Sequence, residues 1–412
     1  MKNLAVFVLT LLISTTSIFA QSQTCDCKTD LDFVVEKIKK MPSYKKQIRS
    51  EKEDAFEITY QKNASKMQEP ISVEACYKML LEQMLLVNDN HASLQMNTAI
   101  LSEDVLKNDS QLSLFKSSPV FINHPKTNRN ISELKTELIK KAPEDLEGIY
   151  IYGSSDEKIG FYYADNNKDL IGVVLETDLK QWEIGEIRCY ATHLNGNKYN
   201  VYEYMAKTRT PRLIKSVSFE NGRLWSFKKD GNTYNYEFPQ NNTGLTSFKQ
   251  INDNTQYLYF KSFNRAYKKD LMRFYKDTKD KLTAKNIIVD LRSNTGGSSK
   301  YSDMYLKLLK DKNVYVLTNA LTGSNAEQFT LKLLKNKNAR HLGQTTFGVI
   351  AYGINYGYEY NTPSGHFKLK PTDMNYHKYV EYESKGIIPE FPLDFKRNWI
   401  EQTIEHITFN TK

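Results

Sequence analysis

The most constraining feature of this chain is the stretch between residues 286 and 328. A buried-looking apolar run, Asn286-Ile-Ile-Val-Asp-Leu-Arg292, leads into Ser293-Asn-Thr-Gly-Gly297. A second apolar strand then leads to Thr322-Gly-Ser-Asn-Ala-Glu-Gln328 at a predicted helix start. Glycine lets the backbone approach a reacting carbonyl group, and a helix start carries N–H groups without partners. The stretch therefore indicates a serine hydrolase whose oxyanion is held by main-chain N–H groups.

The chain around this stretch alternates strands and helices. Apolar runs predict strands over 257–260, 287–291 and 314–317, and helical patterns lie near 265–282, near 301–310 and from about 324. Strands that alternate with helices in this way are typical of a largely parallel sheet. We therefore expect an α/β core over residues 246–412.

A β-rich region precedes this core. Short runs predict strands over 148–152, 159–163, 171–175, 216–219 and 234–238. Asn195-Gly196, Asn221-Gly222 and Asp230-Gly231 are typical of hairpin turns. We expect an antiparallel sheet or small barrel, inserted over residues 111–245, whose many tyrosines serve mainly for packing.

The N-terminal part has the pattern of a helical region. Apolar residues recur at helical spacing over 31–40, and Ser72 can cap a further helix with one apolar face from Val73 to Val87. The run Asn88-Asp89-Asn90 ends that helix, so His91 lies just past its end. We assign residues 21–110 to this region.

The first 20 residues have the layout of a cleavable secretory signal. Lys2 precedes an apolar run from Leu4 to Ile13, and small and polar residues then lead to Ala20. The apolar run is shorter than the roughly 20 residues that span a bilayer. We expect residues 1–20 to be removed, leaving a periplasmic or secreted protein without a transmembrane span.

Charge and composition argue against several classes of partner. The net charge of +9 is scattered along the chain, whereas nucleic-acid binding favours a concentrated basic face, so no nucleic-acid partner is expected. The histidines and cysteines show no zinc-ligand spacing, and we expect neither a metal nor another cofactor. A disulfide from Cys76 to either Cys25 or Cys27 is open. The oligomeric state is not legible from the sequence.

Four motifs resemble those of the tail-specific, or C-terminal processing, serine peptidases. Val289-Asp-Leu-Arg-Ser-Asn-Thr-Gly-Gly297 resembles the DLRxNxGG turn of that family, and Thr318-Asn-Ala-Leu-Thr-Gly-Ser-Asn-Ala-Glu327 resembles its nucleophile segment. Gly343-Gln-Thr-Thr-Phe-Gly348 resembles its GxxTFG segment, and Gly386-Ile-Ile-Pro-Glu390 resembles GxxPD with Glu in place of Asp. The resemblance implies a crotonase-like (ClpP/crotonase-type) core and a peptide or protein substrate.

The same resemblance implies the roles of several site residues. Ser324 falls at the nucleophile of the family. The oxyanion donors are implied to be the amide of Asn325 together with that of Gly296 or Gly297.

The general base is the point at which this chain departs from one branch of the family. In the Ser–Lys branch a catalytic lysine follows TFG at once, whereas this chain has Val349, which cannot accept a proton. Asp89-Asn-His91 resembles the DxH segment of the tricorn-like and retinoid-binding-protein-like branch, which implies that His91 is the base.

Two further residues are implied to support that base. The branch has a glutamate shortly before GxxPD that orients the histidine, which implies Glu383, with Glu381 as the alternative. Asn90 stands where the branch has a serine, and its amide is expected to relay a hydrogen bond.

Two functions remain open at this stage. The first is an exported serine peptidase that works through an acyl-enzyme with Ser324, His91 and Glu383. The second is a catalytically impaired peptidase fold that binds peptides or apolar ligands. The convergence of the three side chains in space discriminates between them. We find no convincing PDZ-like segment, so recognition of a C-terminal carboxylate is not predicted.

Overall fold

The computed structural model describes residues 24–153, 157–240 and 244–409. The predicted export signal over residues 1–20 lies outside these ranges. A helical region, a short helical connection, a β-barrel and an α/β core follow one another along the chain. Within the described ranges, none of the helices combines the length and the apolar character that crossing a bilayer requires.

The N-terminal region consists of β1 (Thr24–Cys25), α1 (Cys27–Lys40), α2 (Pro42–Gln47), α3 (Glu53–Ser65), β2 (Ile71–Ser72), α4 (Val73–Leu85) and β3 (Ser93–Met96). The predicted cap is confirmed, because the Ser72 side chain accepts a hydrogen bond from the amide of Ala75 at the start of α4. A disulfide joins Cys27 of α1 to Cys76 of α4, which decides between the two open pairings. The loop between α4 and β3 carries His91.

A helical connection leads to the barrel. It contains α5 (Glu103–Leu106), α6 (Asp109–Lys116), α7 (Pro119–Ile122) and α8 (Ile131–Leu138). These helices occupy the first part of the range 111–245 that the sequence assigned to a β-rich unit, so that unit begins with helices. Leu134 and Leu138 of α8 are buried against the outside of the barrel, in a cluster with Ile149 and Val173.

The β-rich region is a closed antiparallel barrel of eight strands. Asn221 and Gly222 both have positive φ, at 53° and 65°, and form the predicted two-residue turn between the sixth and seventh strands. The strands are β4 (Gly148–Tyr152), β5 (Lys158–Tyr163), β6 (Leu170–Glu176), β7 (Ile187–Asn195), β8 (Lys198–Tyr204), β9 (Pro211–Glu220), β10 (Arg223–Leu224) and β11 (Phe227–Lys229).

The predicted strand over 234–238 is wrong. Arginine side chains, rather than a neighbouring strand, bind two of the carbonyl groups of this segment. Arg223 donates to the carbonyl of Tyr234 at 2.8 Å, and Arg292 donates to the carbonyl of Tyr236 at 2.6 Å. The alternating tyrosines imitate a strand, but the segment is an arginine-bound connection from the barrel to the core.

The core is a six-stranded sheet with helices on both faces. The order β12-β13-β14-β15-β16-β21 is parallel except for the antiparallel edge strand β12, which confirms the predicted parallel pairing. Its first elements are β12 (Thr246–Asn252), β13 (Thr255–Phe260), α9 (Lys268–Thr278), β14 (Asn286–Asp290), α10 (Ser299–Ser302), α11 (Met304–Leu309), β15 (Asn313–Thr318), α12 (Asn325–Leu333) and β16 (Ala339–Gly343). Helices α9 to α12 bury one face of the sheet.

The last part of the chain returns to the N-terminal region. It contains β17 (Tyr352–Gly353), β18 (Tyr360–Asn361), β19 (Phe367–Lys370), β20 (Met374–Asn375), β21 (Phe391–Pro392) and α13 (Trp399–Phe409), which covers the second face of the core sheet. Strand β19 pairs with β3 in antiparallel register, with Lys370 opposite Ser93. This pairing ties the loop that carries His91 to the core.

Candidate active site

Ser324 occupies a constrained turn at the start of α12. Its φ of 56° and ψ of −126° are unusual for a residue with a side chain, and such a conformation persists only when its surroundings hold it. The amide of Ser324 donates to the Glu327 carboxylate at 2.9 Å, which fixes the turn. Ser324 as a residue is only partly buried.

Glu327 is a site residue that the sequence reasoning missed. Its buried carboxylate also accepts hydrogen bonds from the Thr346 hydroxyl at 2.5 Å and from the amides of Gly348 at 2.7 Å and Val349 at 3.0 Å. Burial raises the pKa of Glu327, and these donors oppose that shift. The Ser-x-x-Glu spacing of a helix capping box is the signal that would have identified it.

His91 lies beside the Ser324 hydroxyl. The distance from His91 Nε2 to Ser324 Oγ is 3.2 Å, although 233 positions separate them in the chain. The Asp89 carboxylate shapes the loop by accepting hydrogen bonds from the amides of His91 at 3.2 Å and Ala92 at 3.1 Å. Burial lowers the pKa of His91 to about 4, while Asp89 raises it and Lys215 lowers it. The imidazole is therefore neutral at pH 7 and able to accept a proton.

Glu383 does not contact the imidazole, which corrects the role that the resemblance implied. Its carboxylate accepts hydrogen bonds from three backbone amides, those of Asn90 at 2.8 Å, Ile350 at 2.9 Å and Ala351 at 2.8 Å. Within the described residues, His91 Nδ1 is buried and has no hydrogen-bond partner. Glu383 thus supports His91 through the backbone of the preceding residue rather than through the ring.

Asn90 is also a bracing residue rather than a relay to the ring. Its side-chain amide donates to the carbonyl of Gly348 at 2.9 Å. Its side-chain oxygen accepts from the hydroxyls of Ser216 and Ser384, each at 3.3 Å. The side chain consequently joins the His91 loop to the 343–348 segment, to the barrel and to the segment that carries Glu383. The Asn90 side chain is thus hydrogen-bonded to groups other than the imidazole.

The loop between β14 and α10 carries the two glycines that were expected to help hold an oxyanion. Gly296 and Gly297 have φ values of 94° and 133°, a region that favours glycine. The amide of Gly296 donates to the Asn294 side chain at 2.9 Å, so it is not free to bind an oxyanion, and its inclusion among the expected donors is corrected.

Two other backbone amides remain available there. Within the described residues, the amides of Gly297 and Asn325 have no acceptor. Gly296 lies against the serine turn, since a Cβ placed on it would come within 2.7 Å of the Asn325 amide nitrogen. The glycine loop and the start of α12 therefore lie side by side.

Val349, which stands where the Ser–Lys branch has its lysine, is a packing residue. Val349 is buried, and its Cγ1 would lie 2.9 Å from a Cβ placed on Gly323. A lysine does approach the 343–348 segment from the barrel, but Lys198 donates to the carbonyl of Thr346 at 2.7 Å and to the hydroxyl of Ser218 at 2.9 Å. Burial lowers the pKa of Lys198 to about 8. Its contacts brace the segment, whereas His91 lies within hydrogen-bond reach of the Ser324 hydroxyl.

Comparison with known proteins gives a family for part of the chain. Residues 299–393 match the model of peptidase family S41. A comparison of the sequence with curated proteins finds no match. The matched segment contains Ser324 and the motifs at 343–348 and 386–390. The predicted resemblance to the tail-specific serine peptidases is thereby confirmed over this segment, which matches peptidase family S41.

Several solved structures are similar to this chain over most of its length. Mature CPAF is 10% identical, with 93% of this chain and 96% of that chain covered and a TM-score of 0.44. The tricorn protease is 12% identical, with 93% and 37% covered and a TM-score of 0.43. A putative peptidase from Parabacteroides merdae is 11% identical, with 92% and 96% covered and a TM-score of 0.39. Likenesses at these scores carry no part of the argument.

Proposed function

We propose that this protein hydrolyses peptide bonds through an acyl-enzyme, with Ser324 as the nucleophile and His91 as the general base. The observation that carries this proposal is the 3.2 Å contact between His91 Nε2 and Ser324 Oγ. Nearby, the amides of Gly297 and Asn325 have no acceptor among the described residues. A nucleophile, a base within hydrogen-bond reach and an oxyanion site are the parts that acyl transfer requires.

The reaction follows from these positions. His91 Nε2 takes the proton of the Ser324 hydroxyl as the oxygen attacks the substrate carbonyl carbon. The amides of Gly297 and Asn325 hold the oxyanion that forms. The imidazolium then gives its proton to the departing amine, the peptide C–N bond breaks, and Ser324 carries the acyl group. Water, deprotonated by the same imidazole, attacks the ester and releases the second product with the Ser324 hydroxyl restored.

Glu383 has an indirect part in this proposal. By accepting the amide of Asn90, its carboxylate holds the loop that presents His91. Burial raises the pKa of Glu383 to about 7, and the amides of Ala351 and Asn90 oppose that shift. A residue that fixes the position of the base changes the rate without touching the substrate.

The substrate, the core fold and the location of the protein are part of the same proposal. Family S41 supports a peptide or protein as the substrate. The parallel sheet, with the serine turn following β15, is compatible with the crotonase-like core that the motifs imply. The basic and apolar start of the sequence supports export to the periplasm or beyond the cell.

A second candidate function is a binding module that has lost catalysis. The observation in its favour is the buried His91 Nδ1, which has no partner among the described residues. In serine peptidases with a triad, a carboxylate at that nitrogen stabilises the imidazolium, and its loss slows the reaction greatly.

Cleavage of a mixed peptide library tests the proposal and separates the two candidates. We expect the wild-type protein to generate new peptide termini and the Ser324→Ala variant to generate none above background. Mass spectrometry of the products identifies the bonds that are cut. Binding of peptides by both proteins without cleavage by either would favour the binding module and contradict the proposal.

A further inference from the structure

The barrel contributes a lysine to the loop that carries His91. Lys215 lies on β9, and its ammonium group donates to the backbone carbonyls of Asp89 and of Ala92, the latter at 2.6 Å. These two carbonyls lie on either side of His91. The lysine therefore binds carbonyl groups of the loop, while the Asp89 carboxylate binds its amides.

The buried surroundings of this ammonium group disfavour its charged form. Burial lowers the pKa of Lys215, and the carboxylates of Asp89 and Glu383 oppose that shift. A buried charge is tolerated when hydrogen bonds and opposite charges compensate it. Among the described residues, the groups that compensate this charge belong to the loop of His91 and to Glu383, whose carboxylate supports that loop.

We infer that Lys215 is a positioning residue for the general base, so that the barrel is an integral part of the active site. This inference rests on the proposed function of Ser324 and His91. By holding both carbonyls, Lys215 fixes the direction in which the loop presents the imidazole to Ser324. Displacement of a catalytic group by about 1 Å can reduce a rate about 100-fold.

Lys215 also contributes to the charge balance around the imidazole. The groups that face His91 are the Asp89 carboxylate, the Lys215 ammonium and the Ser324 hydroxyl, and Glu383 lies behind the adjacent amide. The Asp89 carboxylate favours the imidazolium, and the Lys215 ammonium opposes it. Removal of the ammonium takes away one of the two effects that oppose Asp89, the other being burial, so the pKa of His91 rises.

The chain offers a matched control in another barrel lysine. Lys229 on β11 is buried, and its ammonium donates to the carbonyls of Ala142, Asp145 and Glu147. Burial lowers its pKa as well. It thus has the same type of contact as Lys215, but its carbonyl partners precede the barrel rather than flank His91.

The experiment measures how fast a fluorophosphonate modifies Ser324 across a range of pH. The reagent reports on the nucleophile and its base without a known substrate. We expect Lys215→Met to lower the modification rate constant at pH 7 about tenfold or more and to move the acid limb of the profile to higher pH. Lys215→Gln, which keeps a donor but loses the charge, should lose less rate. Lys229→Met should stay within about twofold of the wild type.

The possible results separate this inference from the function on which it rests. Far-UV circular dichroism establishes that each variant is folded, and Lys215→Gln decides the question if Lys215→Met does not fold. Wild-type modification together with an unchanged rate and pH profile in the Lys215 variants would overturn the inference and leave the proposed function intact. A folded wild type that is never modified at Ser324 would overturn both.

Discussion

At the scale of single residues, the proposed mechanism depends on a neutral imidazole at His91. Only the neutral form accepts a proton from Ser324. Burial lowers the pKa of His91 to about 4, well below the usual value near 6.5. In the proposed role as base, His91 therefore does not need to lose a proton first at neutral pH.

This shift predicts the pH dependence of the reaction. Because protonation inactivates the base, the rate of Ser324 modification should rise with pH through about 4 and be flat from about pH 6 to 8. Fluorophosphonate modification in buffers of equal ionic strength measures this profile. An acid limb near 7 would contradict the prediction and point to Glu383, whose pKa lies at about 7.

The contacts of Glu383 predict a loss of rigidity rather than a loss of the base. A Glu383→Gln side chain turns a donor toward the three backbone amides, so at least one of them loses its partner. We expect the free energy of unfolding to fall by about 1–3 kcal/mol and the modification rate to fall with the acid limb unchanged. Denaturant unfolding and modification kinetics measure the two effects. Glu381→Gln, at an exposed neighbouring position, is the control and should change neither.

Residue identities at this site were more predictable than residue contacts. Ser324 and His91 could be recognised because each lies in a short motif with a fixed chemical role. The partners of Glu383, and the choice between the amides of Gly296 and Gly297, depend on where individual N–H groups point. A sequence motif does not specify that direction. Lys215 stood in no motif, and its role depends on a strand pairing that brings β9 against the loop of His91.

At the scale of secondary-structure elements, the site is assembled from the loops that follow adjacent parallel strands. Asn294 connects these loops, since its side chain donates to the carbonyl of Phe260 at 2.8 Å and its own carbonyl accepts from the amide of Gly323 at 2.9 Å. Carboxyl ends of parallel strands meet at one edge of a sheet, where ligand sites commonly lie. The glycine loop and the serine turn consequently lie close together, because they follow neighbouring strands.

The close contact of these two loops predicts a strong effect of Gly296→Ala. The new Cβ would lie 2.7 Å from the Asn325 amide nitrogen, at a φ of 94°. We expect a fall of about 2–4 kcal/mol in the free energy of unfolding, from backbone strain and overpacking, and at least a tenfold loss of Ser324 modification. Gly231→Ala is the matched control, because its φ is 76° and a Cβ there meets nothing within 4 Å. Equal effects of the two substitutions would contradict this account.

Periodicity identified most elements of the core and failed at one instructive place. The alternating strand and helix patterns of 257–333 gave the parallel pairing, because buried parallel strands are apolar throughout. The segment 234–238 alternates aromatic and polar residues as a strand does, yet Arg223 and Arg292 bind its carbonyls in place of a partner strand. In this segment Tyr234 and Tyr236 are exposed and Glu237 is buried, so the alternation reports neither burial nor what satisfies the backbone.

At the scale of the whole molecule, three distant parts of the chain are held in one arrangement. The N-terminal region supplies His91, and the core supplies Ser324. The barrel supplies lysines that bind the His91 loop and the 343–348 segment. The antiparallel pairing of β3 with β19 connects the first part to the core. In the proposed mechanism, stability of the N-terminal region is therefore a condition for catalysis.

The disulfide of that region gives a prediction at the same scale. The Cys27–Cys76 bridge closes a loop of 49 residues, and its removal relaxes a constraint on the unfolded chain. We expect Cys76→Ala to lower the free energy of unfolding by about 2–4 kcal/mol in denaturant titrations. Cys25→Ala is the control that retains the bridge. Cys27 is a poorer choice for substitution, because the Cys25 sulfur lies within 4.8 Å of Cys76 and can replace it. Equal losses in Cys76→Ala and Cys25→Ala would argue against a stabilising bridge.

The most direct test of the central claim compares fluorophosphonate modification of the folded wild type with that of His91→Ala at pH 7. Mass spectrometry locates the adduct. The account predicts an adduct on Ser324 in the wild type. In the variant it predicts a rate that is lower by about 100-fold or by a larger factor, because the proton of the hydroxyl has lost its acceptor. Modification of His91→Ala at the wild-type rate would contradict the claim that His91 activates Ser324.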